Sequence, residues 1–124
     1  MPVPERLTAV RVAAAPAALD QAAWREGTLV LRLAADEVLV VGDDPGSIGD
    51  LYAVIEADGG WAAIELDRDQ AAGLFSAHCE WEPPVEGLGQ GLLAGIPAKV
   101  WVEPERVLVV VPVSMAHELD RWWS

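Results

Sequence analysis

The chain has 124 residues, 52% of them apolar, with 20 acidic residues against 8 basic ones and a formal net charge of −12. Nucleic-acid and anionic-membrane binders draw affinity from lysine and arginine, so this balance argues against both partners. It fits a chain that hides an apolar face in a partner and keeps the rest solvated; solubility from surface acid is the bland alternative.

The single cysteine, Cys79, excludes an internal disulfide and fits a cytoplasmic setting. No stretch reads as a signal peptide: the apolar residues 12–18 are few and broken by Pro16. No apolar run approaches the ~20 residues of a membrane span.

In chain order, residues 1–27 are ambiguous and are set apart as an N-terminal segment that a partner could order. Residues 7–12 alternate like a strand, and Pro16 suits the first turn of a short helix. Residues 28–124 read as one α+β domain of mainly antiparallel strands with two principal helices. Residues 28–33 and 37–41 predict a hairpin, and 42–49 a flexible connection. Residues 51–56 and 61–66 flank Asp58, Gly59 and Gly60, which predicts a second hairpin. Asp67 with Gln70 forms a capping-box signature, and Ala71, Leu74, Phe75 and His78 make the apolar stripe of the helix that follows. Strands are expected at 90–94, 98–103 and 107–111, the last two joined by a proline turn at 103–106. Ser114 is the expected cap of a last helix with Met115, Leu119 and Trp122 buried.

The glycines of 87–95 resemble a phosphate loop only at first sight. Gly87, Gly89 and Gly91 are spaced by two, no Lys-Ser or Lys-Thr follows Gly95, and no strand precedes them. They read as structural punctuation. Two histidines and one cysteine in no ligand spacing are a poor metal set, and no G-x-S-x-G is present. No catalytic, cofactor-binding or metal-ligating residue is assigned. His78 and Cys79, adjacent at a helix end, point about 100° apart; a thiol enzyme would need His117 as the base.

Six tryptophans are more than a core this small needs. Trp61 and Trp101 fall in strands. Trp24, Trp81, Trp122 and Trp123 are the candidate interface residues, because tryptophan is enriched at protein interfaces.

Four pieces of the chain together resemble the gamma subunit of heterotetrameric sarcosine oxidase, a relative of the folate-binding aminomethyltransferase (glycine-cleavage T-protein) fold. They are LRLAADEVLVVG at 31–42, WAAIELDRDQAAGLFSAHC at 61–79, GLLAGIPAKVWVEPERVLVVVP at 91–112 and VSMAHELDRWW at 113–123. The chain departs from the family pattern at Val38, at Gln90 and Gly91, and in the residues after Cys79. The resemblance implies a non-catalytic subunit packed on a large alpha-type subunit of an amine-demethylating oxidoreductase complex. FAD, NAD and tetrahydrofolate would then sit in the larger chains. The rival reading is a stand-alone folate or small-molecule binding module, with a cleft lined by Trp81 and Trp101 to stack a pterin.

Overall fold

A computed structural model describes residues 3–121. In chain order its elements are β1 (Glu5–Arg6), β2 (Ala9–Ala13), α1 (Pro16–Asp20), β3 (Ala23–Trp24), β4 (Leu29–Ala34), β5 (Glu37–Val41), β6 (Gly46–Ser47), β7 (Val54–Ala57), β8 (Trp61–Leu66), α2 (Arg68–His78), β9 (Gly87–Leu93), β10 (Ile96–Val102), β11 (Val107–Pro112), a 3-10 turn (Val113–Met115) and α3 (Ala116–Arg121). The class is α+β, and every strand pair is antiparallel.

The chain divides into two compact units, residues 7–59 and residues 3–6 with 60–121. The division therefore does not fall at residue 27. β2 pairs with β5 on one side and β7 on the other, so its partners come from further along the chain. Residues 9–27 are built into the unit that residues 28–59 complete, and the described residues from 60 onward belong to the other unit.

In the 7–59 unit a sheet of order β4-β5-β2-β7 stands with a two-stranded ribbon, β3-β6. The β4–β5 hairpin forms as expected, with Ala34 paired to Glu37. Strand alternation sends Val10, Val12, Val38 and Val40 to one face, where Leu19 of α1 joins them and Trp24 packs against the cluster. Pro16 opens α1, where its missing N–H is no loss.

The expected second hairpin does not form. β7 joins β2 in one sheet, whereas β8 pairs with β1 and β11 in the other. Asp58, Gly59 and Gly60 carry the chain from one unit to the next instead of closing a tight turn.

The 60–121 unit holds a sheet of order β1-β8-β11-β10-β9. Ile64, Leu66, Val100, Val102, Val107, Val109 and Val111 fill one of its faces, and Ala71 and Leu74 of α2 and Leu119 of α3 share that core. Asp67 accepts the Gln70 N–H, and the Gln70 side chain accepts the Asp67 N–H, completing the capping box. β9 and β10 meet at a two-residue turn, Ala94 (φ 48°) and Gly95 (φ 84°), the left-handed pair that matches strand twist in a tight hairpin. Ser114 lies within the 3-10 turn and is not a cap, since Pro112 precedes that turn with no side-chain capping bond. Met115 is exposed, and only Leu119 of the expected stripe is buried among the described residues; Trp122 lies outside them.

Candidate functional site

The segment after α2 folds back along the free edge of β9. The His78 carbonyl accepts the Ala94 N–H, and Cys79 bridges to Leu93. The Trp81 indole N–H donates to the Leu92 carbonyl at 2.8 Å. This explains the glycine pattern. A Cβ on Gly91 would lie 2.5 Å from Trp81 Cε2, and one on Gly89 would lie 2.6 Å from Pro84 Cδ. The glycines of β9 leave room for an indole and a proline ring to lie on the strand.

Trp81 is thus half-buried against its own core and hydrogen-bonded to its own sheet. Trp24 is also half-buried, on the core of the 7–59 unit. Trp122 and Trp123, the other two interface candidates, lie outside the described residues.

The residues that might carry chemistry do not converge. Cys79 Sγ donates to the Trp81 carbonyl at 2.9 Å, and His117 Nε2 lies 3.0 Å from Glu118 Oε1. No hydrogen bond joins Cys79 to His117 among the described residues, so the thiol-enzyme arrangement is not built. Among those residues no polar or charged side chain is buried, and no group of three histidine, cysteine or carboxylate side chains could hold a metal ion. No helix there is long and apolar enough to cross a membrane.

A recess of about 490 Å³ is lined by His78, Glu80, Trp81, Leu92, Ala94 and Gly95. Trp101 does not belong to it. In the β9–β10 register, Gly89 and Gly91 share a face with Val100 and Ala98, and Trp101 points to the opposite face with Leu88. Trp81 and Trp101 therefore do not line one cleft around a pterin. The Trp101 Nε1 is buried and has no hydrogen-bond partner among the described residues.

The unexplained surface is elsewhere. Leu51 is 100% exposed, Tyr52 90%, Val54 52% and Ile55 51%, an apolar run at and just before β7. β7 is an edge strand exposed at all four positions. Asp50 fixes the turn that leads into it. Its carboxylate accepts the Ala15 N–H at 2.8 Å and the Tyr52 N–H at 2.9 Å, and these bonds hold its pKa below the ordinary value. Behind β7, Arg11 binds Glu37 and Asp58, while Glu56 stands opposite Arg11 in the register. One cation therefore faces three carboxylates, and this end of the sheet is acidic.

A search by tryptophan content missed this surface. The available signal was the run Leu51, Tyr52, Ala53, Val54, Ile55, which lacks the polar alternation of a strand with one solvated face. Comparison of the chain with protein-family models, curated proteins and solved structures finds no match.

Proposed function

We propose that this chain is a non-catalytic, gamma-like subunit of a heteromeric sarcosine oxidase or related amine-demethylating flavoenzyme complex, with a structural and assembly role. The observation that carries the reading is an apolar edge left open in a protein whose described residues assemble no reactive constellation. Exposed apolar surface of this kind marks an interaction site. The order strand, capped helix, cysteine, three-stranded meander and last helix supports the aminomethyltransferase-like part of the proposal. In that reading FAD, NAD and tetrahydrofolate belong to the large chains, and an alpha-type subunit is the partner.

Coexpression with the large flavoprotein subunit, followed by size exclusion with light scattering, tests it. A defined heteromer carrying flavin is the expected result. A chain that stays monomeric beside every such subunit, or whose tryptophan fluorescence is quenched by folates when alone, overturns the assembly role.

A further inference from the structure

The four-stranded and five-stranded sheets have four edges between them, and three of these are protected. β1 is only two residues long. β9 is covered by the segment that starts at His78, which takes up the Ala94 N–H and the Leu92 carbonyl. β4 is interrupted by an irregularity between Arg32 and Ala34, and Arg32 reaches round to the carbonyls of Ala34 and Ala35. Short length, cover, bulges and charge are the usual defences against stray strand pairing. β7 has neither cover nor bulge among the described residues: it is regular, apolar at Val54 and Ile55, exposed throughout, and charged only at Glu56.

The hydrogen-bond phase shows what this edge offers. The Asp58 N–H donates to the Ala9 carbonyl at 2.8 Å. In an antiparallel ladder the bonded positions alternate, so Glu56 and Val54 also face β2. The N–H and C=O groups of Ile55 and Ala57 then point away from the sheet. The side chains of Ile55 and Ala57 lie on the Val10 and Val12 face, while Glu56 and Asp58 lie on the Arg11 face.

We infer that β7 is a strand-addition site, and that its occupant is an extended segment of another protein in which basic and apolar residues alternate. Basic side chains on one face of the added strand would meet Glu56 and Asp58, and apolar ones on the other would extend the row of Val12 and Ile55. Main-chain bonds to Ile55 and Ala57 would supply affinity in such an augmented sheet, and the side chains specificity. A second copy of this chain is a poor occupant. Across a two-fold axis, pairing Ile55 with Ala57 sets Glu56 opposite Glu56, pairing Ala57 with Ala57 sets Glu56 opposite Asp58, and pairing Ile55 with Ile55 sets Glu56 opposite Val54, so no register gives Glu56 a basic partner. Like charges directly opposite destabilise a strand pair, and each copy carries a net charge of −12. The inference rests on the subunit reading only for the identity of the partner; the edge can be tested on the chain alone.

The probe is a short peptide of alternating lysine and valine, with a glutamate–valine peptide as control, added to the full chain. The expected result is amide exchange slowed at Ile55 and Ala57 by ~10-fold or more, with Val54 and Glu56 already protected in the free protein. Ile55→Pro removes only an outward N–H, which an edge strand tolerates, so it should abolish the effect while Val54 and Glu56 stay protected. If Ile55→Pro loses the sheet, Ala57→Pro removes the other outward N–H and gives the same test. Equal action by both peptides, protection elsewhere, or slowing of Ile55 and Ala57 as the chain alone is concentrated would overturn the inference. Peptide protection without a flavoprotein heteromer defeats only the subunit reading. A heteromer in which Ile55 and Ala57 still exchange freely defeats only the edge.

Discussion

Gly91→Ala tests whether Trp81 is a structural clasp. Gly91 lacks a positive φ, so the backbone itself accepts alanine. The new methyl would stand 2.5 Å from Trp81 Cε2 and 2.6 Å from Nε1, so the ring must leave the strand. Overpacking of this kind costs about 1–3 kcal/mol. Losing the indole bond to the Leu92 carbonyl adds roughly 1 kcal/mol. Reduced freedom of the unfolded chain returns about 0.4–1 kcal/mol. The net loss is about 2 kcal/mol, which for an m-value near 2 kcal/mol/M lowers the urea midpoint by roughly 1 M. Circular dichroism is the right probe, because six tryptophans blur the fluorescence signal. The decisive comparison is the same substitution in a Trp81→Ala background. With no ring to displace, Gly91→Ala should be neutral or mildly stabilising, giving a coupling of about 2 kcal/mol in the double-mutant cycle. An equal cost in both backgrounds would refute the clasp.

Other expectations concern separate features. Asp67→Ala breaks the capping box and should lower stability by ~1 kcal/mol, read by urea unfolding, while Asp67→Ser should recover most of it. Asp50 contributes fully above the ordinary carboxylate value of 3.8, and its contribution is lost as pH falls through its lower folded pKa. The Ala15 and Tyr52 amide shifts should therefore titrate together with a midpoint below 3.8, and a midpoint at or above it would contradict the two bonds. Trp101→Phe removes a buried donor with no partner among the described residues, so unfolding should show little loss or a small gain in stability. Replacing Leu51 and Tyr52 by serine should leave stability within about 0.5 kcal/mol, since both side chains are exposed, yet weaken heteromer formation in size exclusion.

The sequence alone determined the features whose causes are local. Asp67 and Gln70 sit within one helical turn of each other, so the α2 cap was legible without knowing what α2 packs on. The β4–β5 hairpin and the β9–β11 meander were legible because short, turn-rich connections join strands that pair with their neighbours in sequence. The break at residue 59 was not legible. Asp58, Gly59 and Gly60 suit a tight turn as well as a crossover, and only the pairing of β7 with β2 decides between them. The same non-local pairing brings residues 9–13 into the middle of a sheet and leaves β7 on its edge. The place of Trp81 is tertiary for a similar reason: a loop residue and two glycines eight and ten positions later show no relation until the strand passes beneath the ring. Residue type told which side chains were apolar. Which of them stayed uncovered was decided by strand order, because an edge exists only where a sheet stops.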